Sequence, residues 1–350
     1  MRFPTFDIIK FLAMVMVVRG HIEGNGFLDI MSGIGINISI GVAMPYFFMV
    51  SGYFSAHSLE DGDFCKLISR IAGFLWPLAS FGVTFGLVLL LLCKIPLWKF
   101  AVYPIARVIS GSWFLTTLAI LHMLFFCLFK IAKRTKRRLI ISFLLYTTLF
   151  FWAGQGKIAT LLSVSNVLHM FPYFAFGVLV LKPFQPHKKW PIAVLCGIFF
   201  LAVAVMEGDV RSNGMGFYWV PTDWQTVVMD RHLFICFWAR SLVGISGSVF
   251  ILWAVDQCLK MVPKLSKLAV FGTTSLGVYV LHEWPLIQIH KYCSFDPLPS
   301  FWRWPLAFCL FFLCHFITIG IKSNSKFKFF FFGDEKWLKS VISQIMKKRR

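Results

Sequence analysis

The run FDIIKFLAMVMVVRGH, Phe6 to His21, decides how the rest of the chain is read. It is apolar enough to enter a bilayer, yet it carries Asp7, Lys10 and His21. Ionisable side chains are disfavoured in hydrocarbon, so their presence within a span points to function. Lys10 and His21 lie eleven residues apart. At about 100° per residue, that spacing returns to within roughly 20° of the same helix face, about 16 Å along the axis. Both therefore look onto one seam. Asp7 sits one turn before Lys10 and can pair with it, whereas His21 is too far up a straight helix for either to reach. One helix thus offers a charged pair near one membrane face and a titratable imidazole near the other. Arg19, about 200° round the helix from His21, faces headgroups or a neighbouring helix.

The rest of the chain agrees with a membrane setting. Its 350 residues are 58% hydrophobic and only 14% charged, with a mean hydropathy of +0.74, a mix that excludes a soluble globular domain of this size. Apolar runs fall at 6–22, 34–53, 73–93, 113–130, 139–153, 167–181, 191–206, 233–255, 268–287 and 304–321. This predicts an all-α polytopic membrane protein with about ten transmembrane helices. The net charge of +20 is explained by basic loops on the cytoplasmic side, so no nucleic-acid partner is implied. The nine Cys are scattered without metal-ligand or paired spacing, so neither a metal site nor a disulfide framework is expected. Asp7 and the lack of a small-residue cleavage site argue against a signal peptide, and the first run is read as helix one.

With the N-terminus inside, most of the 35 Lys and Arg fall on the cytoplasmic side, so both termini are expected in the cytoplasm. The same topology puts Glu23, Asp29, Glu207, Asp209, Asp223, Asp230, Glu283 and Asp296 towards the other face. The longest outer loop, 207–232, holds Tyr218, Trp219 and Trp224. These rings suit stacking on sugars and equally suit an aromatic belt at the headgroups. Two regions follow: a membrane domain over 1–322, and a basic tail over 323–350. In the tail, Trp337, Leu338, Val341, Ile342, Ile345 and Met346 recur at helical spacing, as in an amphipathic helix lying on anionic lipid on the cytoplasmic face.

Four features occur in a fixed order: Lys10 with His21 on helix one, PYFFMVSGYF (Pro45 to Phe54), WFL (Trp113 to Leu115) and SLGVYVLH (Ser275 to His282). In this order they resemble acyltransferase family 3, integral membrane enzymes that O-acylate surface carbohydrates. The resemblance implies that His21 is the essential catalytic residue. At the outer end of helix one, a neutral imidazole can take the proton of an attacking sugar hydroxyl as general base. It also implies an acyl-CoA donor entering from the cytoplasm. Asp7, Lys10, Lys66 and Arg70 are then candidates for the donor side, because Lys and Arg bind the phosphates of a nucleotide. The family often places a close arginine pair after helix two; this chain has Lys66 and Arg70 there. All four residues also fit a positive-inside pattern with a neutralised Asp–Lys pair.

The remaining candidates follow the later features. Pro45 can break helix two, and Ser51 with Gly52 permits close packing or a bend that lines a cavity where the donor enters. Trp113 is a candidate wall of the acyl channel or an interfacial anchor. Ser275, Tyr279 and His282 fall on one face of the penultimate helix, and its outward course brings His282 and Glu283 level with His21. A second His with an acidic neighbour can orient the acceptor or tune the base. Arg240, within helix eight, needs a carboxylate, phosphate or water; an acceptor phosphate and Glu283 are the partners considered. His122, His169 and His315 belong to no motif and are read as structural.

The expected activity is transfer of an acyl group from cytoplasmic acyl-CoA to a glycan hydroxyl in the bacterial inner membrane, with acetyl-CoA as co-substrate and acetyl ahead of succinyl. With no appended esterase-like domain, the acceptor is expected to be a lipid-linked or surface glycan. The competing reading is a transporter or flippase for such a glycan, which would also have about ten helices and buried charges. Transporters often show repeated halves and paired broken helices, which this sequence does not.

Overall fold

The computed structural model describes residues 3–22, 34–92, 94–109, 113–153, 164–181, 189–210, 231–292 and 300–333, with 340 and 344. Among these residues, every regular element is helical. The first six helices are α1 (Pro4–Ile22), α2 (Ile34–Asp61), α3 (Phe64–Leu91), α4 (Leu97–Ile109), α5 (Trp113–Ile131) and α6 (Thr135–Ala153). Next comes α7 (Val164–Phe176), which continues as a π-helical turn (Gly177–Leu181), and then α8 (Trp190–Val210) and α9 (Arg231–Met261). A 3-10 turn (Pro263–Leu268) leads into the one-turn α10 (Ala269–Gly272), followed by α11 (Ser275–Tyr292), α12 (Ser300–Ser323) and α13 (Ser325–Phe332).

Among the described residues, four stretches are long and apolar enough to cross a membrane: Phe64–Leu91, Trp113–Ile131, Trp238–Met261 and Trp302–Ser323. Leu195, Ile198, Leu242 and Phe316 are more than half exposed on helices that bury their other faces. Apolar faces of this kind fit bilayer hydrocarbon, where α-helices satisfy their own backbone hydrogen bonds. The outer loop rings Tyr218, Trp219 and Trp224 and the tail residues Trp337, Leu338, Val341, Ile342, Ile345 and Met346 lie outside the described residues.

The chain forms two compact units: Met1–Tyr53 with Pro172–Thr318, and Phe54–Phe171 with Ile319–Arg350. In the first, α1 packs against α9, α10 and α11. Its core gathers Phe6, Ile9, Val42, Tyr46, Met49, Val50, Leu181 and Phe200, while the Phe11 ring lies tilted against Phe271 and edge-on to Phe311. In lipid the helices are held by close packing more than by hydrophobic burial, so small residues mark the crossings. A Cβ on Gly52 would strike the Phe174 carbonyl, and one on Gly177 the Met49 carbonyl, so α2 and the π turn meet backbone to backbone. Pro45 does not break α2, which runs unbroken through it. Proline is tolerated within buried membrane helices because neighbouring groups and local adjustment satisfy the freed carbonyl.

The run expected to be one helix over 268–287 is instead divided after Gly272. Thr273 and Thr274 donate their hydroxyls back to the carbonyls of Val270 and Phe271, at 2.7 and 3.0 Å. Such local bonds compete with a regular helix. The turn between α10 and α11 falls there.

In the second unit, Asp63 caps α3, accepting from the Cys65 and Lys66 amides at 2.9 and 3.2 Å. The sequence shows no span over 94–112, yet α4 forms there and lays Phe100 and Tyr103 against Gly86 of α3. Pro96, Pro104, Lys94 and Lys99 interrupt the apolar run, which is why hydropathy overlooks this short helix. The first part of the expected tail, α13, packs on α3. Trp76 Nε1 and Ser80 Oγ donate to the Phe330 and Phe331 carbonyls, each at 2.9 Å, and the Phe81 and Phe331 rings lie 4.6 Å apart.

Candidate active site

His21 lies in the last turn of α1 with an exposed side chain. Its Nδ1 is 2.9 Å from the Val17 carbonyl oxygen. Against it stands His282 of α11, wholly buried, with Nδ1 2.9 Å from the Val278 carbonyl oxygen. His282 Nε2 approaches His21 Nδ1 to 3.4 Å, and the two rings meet edge-on with centroids 5.0 Å apart. Tyr279, also buried, puts its ring 5.9 Å from that of His282. Ser275 opens α11 and Glu283 follows His282, both half-buried.

This juxtaposition is built by a glycine. Gly272 lies directly on the backbone of Asp7, where a Cβ would overlap the Asp7 carbonyl. Contact of Gly272 with Asp7 and, farther along both segments, of His282 with His21 means that α1 and α11 run in the same direction. Gly277 allows a second close approach, with Thr318 of α12 filling the space a Cβ would need.

At the other end of α1, the Lys10 ammonium donates to Asp7 Oδ1 at 2.8 Å. Tyr46, wholly buried, donates its hydroxyl to the Phe6 carbonyl at 3.3 Å. The pair is thus walled by packed residues of its own unit. Arg19 is buried with its guanidinium 4.5 Å above the centre of the Trp304 ring, a cation–π contact with a neighbouring helix. Ser51 is half-buried on α2 beside the Gly52 crossing. Arg240 is half-buried on α9, and its carbonyl accepts from the Tyr173 hydroxyl at 3.2 Å. Its Nη1 is buried without a hydrogen-bond partner among the described residues.

Lys66, Arg70 and Trp113 belong to the second unit. Lys66 bridges Asp61 at 3.0 Å and Asp63 at 3.9 Å. The hydrogen bond from Lys66 holds the Asp61 carboxyl below the ordinary carboxylate range. Arg70 is half-buried and acts electrostatically on His122. Trp113 opens α5, half-buried, with its ring edge-on to Phe114 at 6.3 Å.

His122 and His315 carry contacts that no local pattern announces. His122 donates from Nδ1 to the Leu118 carbonyl at 2.7 Å, and its Nε2 is 2.7 Å from Ser55 Oγ. His315 Nδ1 is 2.6 Å from Thr274 Oγ1. Ser55 and Thr274 lie 67 and 41 residues away in sequence from the histidines they meet, so only the fold could name them.

Comparison with curated proteins and with solved structures returns no match. A family model described as an acyltransferase domain matches residues 3–320, a range that includes every candidate residue above. From that match over nearly the whole chain, together with its apolar helices, the protein belongs to acyltransferase family 3 and is a membrane acyltransferase.

Proposed function

We propose that this acyltransferase moves an acyl group, acetyl by preference, from cytoplasmic acetyl-CoA to a hydroxyl of a lipid-linked or surface glycan, with His21 as general base. The observation that carries this reading is the exposed His21 ring at the end of α1, held by a second, buried histidine within the region matched to the family. The acceptor hydroxyl gives its proton to His21 Nε2 as its oxygen attacks the thioester carbonyl carbon. The carbon–sulfur bond then breaks, and the departing thiolate takes the proton from His21, leaving the acylated sugar, free coenzyme A thiol and neutral imidazole. General-base assistance of this type is worth roughly 10²–10⁴ in rate.

The proposed topology has ten spans in a bacterial inner membrane, with both termini in the cytoplasm. Lys10, Asp7, Lys66, Arg70 and Ser51 belong to the donor side. Trp113, Arg240, Ser275, Tyr279, His282 and Glu283 belong to the channel or the acceptor side. Acetyl is preferred because it asks for the smallest cavity.

Membranes carrying the full-length protein, supplied with acetyl-CoA labelled in the acetyl group, transfer label to the glycan fraction. His21→Ala reaches the membrane at the wild-type level and loses transfer by about 10²-fold or more. Wild-type transfer by that variant removes His21 from the mechanism. Export of an unmodified glycan without any label transfer supports the translocator reading instead.

A further inference from the structure

The hydrogen bonds around the two histidines determine where their protons sit. A carbonyl oxygen can only accept, so the nitrogen facing it must carry the proton. His282 Nδ1, 2.9 Å from the Val278 carbonyl, is therefore N–H, and the Nε2 of the neutral ring is left as an acceptor. His21 Nδ1, 2.9 Å from the Val17 carbonyl, is N–H by the same argument. That N–H is shared between the Val17 carbonyl and the His282 Nε2 lone pair at 3.4 Å. The remaining nitrogen, His21 Nε2, carries the lone pair of this tautomer, and among the described residues the ring's hydrogen bonds are all made through Nδ1.

We infer that His282 is a positioning residue: buried behind His21, it accepts from His21 Nδ1–H and so keeps that imidazole in the tautomer whose Nε2 is the base. The inference rests on the general-base role proposed above for His21. For a buried ring such as His282 a backbone carbonyl four residues back fixes rotation and tautomer, but the exposed His21 ring can turn away from its carbonyl and lose both. A second acceptor arriving from another helix fixes both. When Nε2 takes the acceptor's proton, the ring becomes a cation, and the bond from its Nδ1–H to His282 strengthens as a charge-assisted one. His282 sits on α11 at full burial, where its own ring is locked by Val278 and packed by Tyr279. The arrangement resembles the way an orienting group holds a catalytic histidine in other acyl transfers, where the wrong tautomer lowers kcat by about 10⁴.

Two variants of the full-length protein in detergent or nanodiscs separate positioning from packing. His282→Leu keeps bulk and removes the acceptor; its kcat is expected to fall by about 10²-fold or more, with the acetyl-CoA KM within about twofold of wild type. His282→Gln places an amide oxygen near the lost Nε2 and is expected to recover to within about tenfold of wild-type kcat. Independently of turnover, nitrogen NMR of protein labelled at histidine, with His21→Ala to assign the signal, reads the tautomer directly. Wild type is expected to show His21 protonated at Nδ1, and His282→Leu a mixture of tautomers. Wild-type kcat in His282→Leu, equal loss in the Leu and Gln variants, or a wild-type signal protonated at Nε2 each overturn the inference. Full activity in His21→Ala would instead sink the general-base reading, while the tautomer measurement would still report on the pair.

Discussion

Lys10 shows how the same side chain can answer to two demands. From the sequence it is a cation near the cytoplasmic end of helix one, suited to coenzyme A phosphates; in the fold its ammonium is 2.8 Å from Asp7 Oδ1, with Gly272 and Tyr46 packed around the start of the helix. Removing it leaves a buried carboxylate without its partner, so Lys10→Met is expected to destabilise by about 1.5–3 kcal/mol, the range for a hydrogen bond to a charged group. Asp7→Asn combined with Lys10→Met is expected to regain most of that loss in a thermal melt of the detergent-solubilised protein. If Lys10 also holds the donor, the double variant keeps a raised KM for acetyl-CoA. A wild-type KM there assigns the residue to the fold alone. The pairing of Asp7 with Lys10 was legible from one-turn spacing, because it is local. The contact between His21 and His282 was not, because sequence spacing set only their level in the bilayer, and 3.4 Å of approach depends on how two helices are packed.

Among the elements, the glycines at helix crossings explain more than the prolines. The stretch PYFFMVSGYF invited a broken helix at Pro45, yet α2 is continuous, and the feature that matters is Gly52 meeting Phe174 while Gly177 meets Met49. Gly177→Ala is expected to lower stability by about 1–3 kcal/mol, since backbone on both sides must move, and Gly177→Leu to prevent recovery of monodisperse protein. Gly73→Ala supplies the control: nothing lies within 4 Å of its Cβ position, and it should melt at or slightly above the wild-type temperature. Equal losses at both positions would show that the crossing is not the reason. The amphipathic α4 and the docking of α13 on α3 escaped the sequence reading for a common reason. Hydropathy finds segments that need lipid, whereas these two are held through particular neighbours: Gly86 in one case, Trp76 and Ser80 in the other.

At the scale of the molecule, the proposed direction of transfer depends on which way the helices run. Alkaline phosphatase fused within the 207–232 loop is expected to be active and the same enzyme fused after Gly333 silent, as the distribution of Lys and Arg requires. The reverse pattern would place His21 at the cytoplasmic face and defeat transfer to an outer glycan. The contacts of Gly272 with Asp7 and of His282 with His21 give α1 and α11 a parallel course, so the fusion experiment that sets the sense of one sets that of the other. All-helical membrane architecture, the family and the residues worth testing could be read from composition, apolar run length and four ordered motifs, since a bilayer imposes length and polarity on each segment separately. Which of those residues touch was decided only in three dimensions. Close approach between helices depends on a side chain missing from one surface where the other fills the space, here Gly272 against the Asp7 backbone and Gly277 against Thr318, and no property of one segment reveals what its neighbour brings there.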